Sequence, residues 1–362
     1  MGGRLEVRGR DPALHVHLAV WCRARGHRLE SSSTVVKGPA DEARWAGAEQ
    51  AGRPGPGGVV DHAPAHWGLA ARGAVVEQGG PPLAADLVDK DQVWADIAPK
   101  LYAQALAGQW DPAKAVQWDA PFELPDEIED AVVQVMTYLV ENEQAALAVP
   151  ARFVARIHPH FREVVQLLAV QVADEARHVE VFTRRAMLRR DRLGLSGAGG
   201  RASLQTLLEE PDFSLAAFLL SVLGEGTFLN LLAFIERHAP DPVTAQVARF
   251  AYQDEARHVA FGQAHLEHGV ATDPTLRSRL RAAVERRHDV LASTTGLNDE
   301  VFDALVLLAA GAWTPEAVAA GHGRVQRLRD EMDEGRQRRL VRLGFPPAQA
   351  AELSGLHTRN FM

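Results

Sequence analysis

The pentapeptide Asp-Glu-Ala-Arg-His occurs twice in this chain, at 174–178 and 254–258, and nothing else in the sequence restricts the fold as much. On a helix, Glu175 and His178 stand three residues apart on one face, as do Glu255 and His258. A duplicated acid–imidazole pair therefore predicts two equivalent helices presenting the same chemistry to a common axis. Each copy follows an apolar helix with a central glutamate: Glu143 lies 32 residues before Glu175, and Glu225 lies 30 before Glu255. About thirty residues is the run of one helix, a tight turn and the return to the same height. The two hairpins then supply four carboxylates and two imidazoles, an inventory that suits two iron or manganese ions in a bundle core.

Glu225 carries much of this reading. It is the only charged residue between Phe213 and Ile235, and a lone carboxylate buried in so apolar a helix is costly unless protonated or paired. A cation at the bundle axis supplies the partner; the plainer reading is a protonated glutamate or a kink site. Gly224 and Gly226 flank it and leave room for close helix approach or a ligand. In the first helix, Glu143 shares the apolar stripe of Val132, Met136 and Leu147, whereas Glu141 points nearly half a turn away, so Glu143 is the expected ligand. Asp174 and Asp254 are expected to accept the second ring N–H of a histidine on the opposing helix, fixing its tautomer. Arg177 and Arg257 would neutralise those aspartates, unless they are ordinary helix-surface charge.

The rest of the chain changes character twice. Residues 4–31 read as strand (5–7), helix (12–25) and strand (27–31), a small α/β fragment within residues 1–36. Residues 37–90, rich in Gly, Pro and Ala, read as a linker. From 91 to 362 the period is helical, with a metal-binding core at 126–270. Helices are expected at 91–108, 126–149, 160–190, 213–238, 241–270, 274–293, 298–311, 315–343 and 347–355. Pro150 is the expected stop of the helix carrying Glu143, and Gly194 to Gly200 the connection between the two hairpins. The prediction is an all-α four-helix bundle with accessory C-terminal helices behind a small α/β piece.

Composition excludes several functions. The chain has 362 residues, 46% of them apolar, and a formal charge of −8, with no basic stripe to track a phosphate backbone, so nucleic acid is not an expected partner. The single cysteine, Cys22, leaves no internal disulfide, redox pair or cysteine-ligated zinc. The longest apolar stretch, Leu215 to Leu223, is about half of what a membrane span needs. The N-terminus lacks the apolar run of a signal peptide, and a cytoplasmic location is expected.

With these residues in view, the chain resembles the ferritin-like di-iron carboxylate superfamily. The form Asp-Glu-x-Arg-His is similar to that of the hydroxylase subunits of bacterial multicomponent monooxygenases. The resemblance covers about 125–270 by motif. It implies the ligand set Glu143, Glu175, His178, Glu225, Glu255 and His258. It also implies two iron ions, with manganese or a mixed pair as alternatives, and O₂-dependent oxidation of an organic substrate or of iron. Two positions depart from the superfamily's patterns. Leu229 replaces a threonine that in the hydroxylases follows the third-helix glutamate by four residues. Phe182 stands where ribonucleotide reductase small subunits place a radical tyrosine. Gly262, four residues after His258, is expected to open space near the metals. The segment Leu5 to Ser31, with Trp21-Cys22-Arg23 and Gly26-His27, looks like the back half of a TusA-type sulfur carrier without its reactive cysteine motif.

Other features have plainer readings. His158-Pro159-His160 marks a helix start rather than a metal pair. Trp110 and Trp118 cap one bundle end or line a substrate entrance. Tyr252 shares the face of Glu255 and sits near the metals or in the core. The mixed-charge helix from Arg324 to Arg342 reads as a solvated face. The expected function is an O₂-dependent di-iron oxidase or oxygenase for a small organic substrate. Its electrons would come from an external reductase or ferredoxin, since the sequence has no flavin or iron–sulfur motif, and a homodimer is compatible with it. The alternatives are iron or peroxide handling, of ferroxidase or dimanganese-catalase type, and a non-enzymatic metal-bearing scaffold.

Overall fold

The computed structural model describes residues 2–38, 47–292 and 299–357. The chain divides into two compact units, Met1–Val60 with Pro64–Leu83, and Asp61–Ala63 with Ala84–Met362.

The first unit is built from short elements: β1 (Arg4–Glu6), α1 (Leu14–Ala24), β2 (Arg28–Leu29) and β3 (Thr34–Val36). The strands form an antiparallel sheet in the order β1-β3-β2, with Leu5 and Leu29 both opposite Val35. Leu14, Leu18 and Cys22 recur at four-residue steps and face that sheet, where Leu18, Cys22 and Val35 form the core. Gly26 stops the helix with φ 68°. Strand β3 is absent from the sequence reading, because three residues with one buried valine show no period.

The stretch read as a linker, 37–90, is ordered where it is described. Strands β4 (Glu49–Gln50) and β5 (Val75–Val76) pair antiparallel in the first unit, and buried Trp67 donates to Glu49 Oε1 at 2.6 Å. Side-chain anchors of this kind order Gly- and Pro-rich turns that composition alone assigns to a linker. Part of that expectation, at 39–46, lies outside the described residues.

The second unit is helical: α2 (Ala98–Ala107), α3 (Pro112–Ala115), α4 (Asp126–Val154), α5 (Arg162–Ala186), α6 (Ala198–Glu209), α7 (Phe213–His238), α8 (Pro242–Thr272), α9 (Leu276–Ala292), α10 (Asp299–Ala310), α11 (Pro315–Arg342) and α12 (Pro347–His357). Helix α4 packs along α5 and α7 along α8, with α5 against α8, giving two hairpins around one axis. The ends expected at 293 and 298 lie outside the described residues. Pro150 does not end α4. The helix carries it in its last turn, where burial of Val149, Pro150 and Phe153 offsets the missing N–H. Helix α6 begins inside the Gly-rich connection and was not expected there.

Helix α7 is long and apolar enough, by length and composition, to cross a membrane, which corrects the expectation that no segment is. Its apolar window is 83% buried within the bundle, so the hydrophobicity is spent on the protein's own core. The solvated face expected for 324–342 is present, with Arg327, Arg329, Glu331, Glu334 and Arg338 exposed, but the helix has a buried face as well. Helix α11 buries Val325, Leu328, Met332, Arg336 and Leu340, and Arg339 Nε reaches back to Val222 O at 2.7 Å. Arg185 is fully buried, bidentate to Glu129 and bonded to Asp241, which ties α4, α5 and α8 together.

Candidate metal centre

The four bundle helices deliver their acidic residues to one level. Glu143 comes from α4, Glu175 and His178 from α5, Glu225 from α7, and Glu255 and His258 from α8; all six are buried. Ligand atoms of Glu143, Glu175, His178 and Glu255 lie within 4.8 Å of one another, and so do those of Glu175, Glu225, Glu255 and His258. Glu175 and Glu255 belong to both groups, so they sit between two adjacent positions. Each position also has one histidine and one further glutamate.

The imidazoles are oriented alike. His178 Nδ1 faces Glu175 Oε2 at 3.2 Å and Glu255 Oε1 at 3.3 Å, while its Nε2 meets Asp254 Oδ2 at 3.2 Å. His258 Nδ1 faces Glu175 Oε1 at 3.0 Å and Glu255 Oε2 at 3.3 Å, with Nε2 at 3.3 Å from Asp174 Oδ2. Each ring therefore turns one nitrogen inward and gives the other to the aspartate of the opposite pentapeptide. Arg177 and Arg257 each bridge both aspartates. This outer ring of two aspartates and two arginines is formally neutral.

The inner ring is not. Four carboxylates and two neutral imidazoles carry a formal charge of −4, which two divalent cations would cancel. Among the described residues, Glu143 Oε1 and Glu225 Oε2 are buried without a hydrogen-bond partner, and Glu175 Oε1 and Glu255 Oε1 face only the inward imidazole nitrogens. Acceptor atoms placed in this way on four helices fit a cation at each position. The protonation pattern shows the same strain. Burial, with the neighbouring carboxylates of Glu175 and Glu255, pushes Glu143 and Glu225 well above the usual carboxylate range. Burial opposes ionisation of Glu175 most strongly, but the charges and hydrogen bonds of His258 and His178 together outweigh it and hold that group low. Both imidazoles are raised against burial by the facing carboxylates, Glu143 first at His178 and Glu175 first at His258.

Several contributors were not expected from sequence. Gln171, one turn before Glu175, donates Nε2 to Glu225 Oε1 at 3.1 Å. Gln109 donates to Asp174 at 3.0 Å and accepts from Arg177 at 2.8 Å. The segment Phe218–Glu225 of α7 is π-helical and ends on the glutamate. Gly226 is required beside it, since a Cβ there would lie 2.5 Å from Arg339 Nε. Of these, only the paired glycines around Glu225 left a signal in the sequence.

A small apolar cavity of about 20 Å³ adjoins Glu143, Glu225 and Glu255 and is walled by Leu204 and Leu207 of α6, Leu220 and Phe228. That is space for roughly one water-sized molecule. Gly262 does not open it: a Cβ there would meet Ser221 Cβ at 2.5 Å, so the glycine serves close packing of α8 on the π-helical turn. Leu229 is half-buried and not in the cavity wall. Phe182 is fully buried with its ring 6.2 Å from that of His178. Tyr252 is 37% exposed: it lies on the other side of Glu255 from His258, six residues away, at the solvent edge of the buried stripe of α8. Trp110 donates Nε1 to Asp254 Oδ2 at 2.8 Å, stacks on Phe250 and lies beneath Arg177. Trp118 bonds Pro112 O and lies under Arg184. His158 Nδ1 accepts from the His160 N–H in the turn ahead of α5.

No family model matches the sequence, and no curated protein does either. Solved structures do match. A variant of an R2-like ligand-binding oxidase with an aerobically reconstituted Fe/Fe cofactor is 20% identical, covers 68% of this chain and 92% of its own, and has a TM-score of 0.50. Another with an anaerobically reconstituted Mn/Fe cofactor is 19% identical over 66% of this chain and 92% of its own, at 0.49. At this identity the likeness is one of fold, a ferritin-like helical bundle.

Proposed function

We propose that the chain is an O₂-reactive di-metal oxidase whose ligands are Glu143, Glu175, His178, Glu225, Glu255 and His258, with a small organic molecule as substrate. The observation that carries this reading is the convergence of four buried carboxylates and two imidazoles from four helices on two adjacent positions, with Glu143 Oε1 and Glu225 Oε2 lacking a hydrogen-bond partner among the described residues. When bound, a pair of iron ions, or of manganese and iron, supplies the redox capacity for reaction with O₂. The residues do the rest. Asp254 and Asp174 hold the outward nitrogens of His178 and His258, so the inward nitrogens are the ones that would give up a proton and bind a metal. Gln171 orients Glu225, and the apolar wall of α6 excludes bulk water. The hydrogen-bonded line from Trp110 through Asp254 to His178 supports delivery of electrons by an external donor. A cytoplasmic location belongs to the same proposal.

One observation favours a second reading, iron or peroxide handling. The cavity beside the glutamates admits a diatomic molecule more readily than an organic substrate. The test is to load the purified chain with iron, count the metals, reduce it and admit O₂. Two metals per chain, O₂ uptake and a new near-ultraviolet absorption support the oxidase. Uptake that tracks added ferrous iron alone, or rapid disproportionation of peroxide by a manganese-loaded form, replaces it with the second reading. No bound metal defeats both.

A further inference from the structure

Helix α11 meets α7 at the turn that carries Glu225. That turn is π-helical over Phe218–Glu225, whereas Glu143 sits within the α-helix α4. The Gly226 N–H, whose α-helical acceptor would be the Val222 carbonyl, has Ser221 O among its acceptors and not Val222 O. Two arginines of α11 bond the turn on either side of Glu225. Arg339 Nε donates to Val222 O at 2.7 Å, three residues before the glutamate. Arg336 Nη1 donates to Thr227 Oγ1 at 3.4 Å, two residues after it. Thr227 Oγ1 in turn donates to Leu223 O at 2.6 Å.

Both arginines give up water to reach this turn. Arg336 is 1% exposed, and burial pulls the two guanidiniums down to about 10, with the charges of Arg336 and Arg338 adding to the effect at Arg339. Desolvating two like charges at one turn is costly, and the exposed face of α11 would have left both in solvent. Other helices hold them there. Arg336 Nε donates to Ser354 Oγ of α12 at 3.0 Å, and Gln263 Nε2 of α8 donates to Arg339 O at 3.4 Å. The approach needs glycine on both helices. A Cβ at Gly226 would lie 2.5 Å from Arg339 Nε, and one at Gly335 would lie 3.2 Å from Asn230 Oδ1. The carboxylate itself is held from another side, where Gln171 of α5 donates to Glu225 Oε1 at 3.1 Å.

We propose that Arg339 and Arg336 are positioning residues for Glu225, fixing the backbone of its π-helical turn so that the carboxylate stands at the position it shares with His258. The inference rests on the di-metal reading and makes the two positions unequal. The one formed by Glu175, Glu225, Glu255 and His258 depends on α11, which reaches the Glu225 turn. The one formed by Glu143, Glu175, His178 and Glu255 takes its further glutamate from α4 and does not. Support from outside the four bundle helices acts here through the backbone of the ligand's own turn, and not through a bond to the ligand.

The experiment titrates the full metal-free chain with manganese(II), following free ion by electron paramagnetic resonance, and measures amide hydrogen exchange before metal is added. Wild type is expected to bind two ions. In Arg339→Met the first ion is expected to bind within about threefold of wild type and the second at least about tenfold more weakly. Amides at 222–227 are expected to exchange faster in this variant, and those around Glu143 at the wild-type rate. Arg339→Lys keeps a donor and is expected to recover part of the second affinity. Met332→Ala, a core truncation on the same helix, is expected to lower stability in urea and leave the ratio of the two affinities unchanged. Should Arg339→Met fold poorly, Gly226→Ala displaces the guanidinium by its Cβ and is expected to give the same selective loss. Equal weakening of both ions, an unchanged second affinity, or unchanged exchange at 222–227 would overturn the inference alone. A wild-type chain that binds no manganese or iron would overturn the di-metal reading and this inference with it.

Discussion

His178 Nε2 lies 3.2 Å from Asp254 Oδ2, although the two residues belong to different hairpins. Its counterpart, His258 Nε2 to Asp174 Oδ2 at 3.3 Å, runs the other way. The duplicated pentapeptide is thus cross-wired: each copy contributes the aspartate that orients the other copy's histidine. Asp254 is held well below the usual carboxylate range. Burial works against this, but the bonds and charge of His178, with Trp110 and Arg177, prevail.

Asp254→Asn removes the charge that fixes the His178 ring, and it leaves Arg177 and Arg257 with one anion between them. Metal affinity is expected to fall by roughly 10–100-fold, measured by competition with a chromophoric chelator. Asp174→Asn is expected to do the same through His258, with a loss of similar size. An affinity within twofold of wild type in both variants would remove the aspartates from the metal site's support.

Glu225→Gln separates the demands of folding from those of metal binding. In the metal-free chain the carboxylate is buried beside Glu255 and has one oxygen unpartnered. The neutral amide keeps the shape, so metal-free stability in urea is expected to rise by roughly 1–3 kcal/mol. With metal present the order is expected to reverse, because a ligand charge is gone. A metal-free variant less stable than wild type would show that Glu225 serves the fold itself.

His265 gives the chain an acid sensitivity away from the metal centre. Burial pulls its imidazole down to about 4, despite the bond to Trp94 O. The unfolded imidazole titrates near ~6.5. Between these values the unfolded chain binds more protons, so stability is lost as pH falls from 6.5 through 4. The stability gap between wild type and His265→Gln is expected to narrow by roughly 3 kcal/mol between pH 7 and pH 4, as read by urea denaturation at each pH. A gap independent of pH would mean that His265 takes up its proton as readily in the fold as in the unfolded chain.

The sequence by itself determined the helices and which of their residues meet. A repeat of five residues, a fixed distance to an upstream glutamate and one charge in an apolar run are all local patterns. Helix geometry converts them into faces and heights without further information. Tertiary structure alone decided what surrounds those faces. Gln171 and Gln109 reach the site because of helix rotation and loop path, which a single sequence does not encode as spacing. In the π-helical turn before Glu225, the Val222 carbonyl accepts from Arg339 of α11, more than a hundred residues later. Helix α6 is hidden in sequence by its leading glycines, yet its Leu204 and Leu207 wall the cavity beside Glu143 and Glu225. Periodicity reports a residue's own element, whereas burial without a partner is a property of everything packed against it.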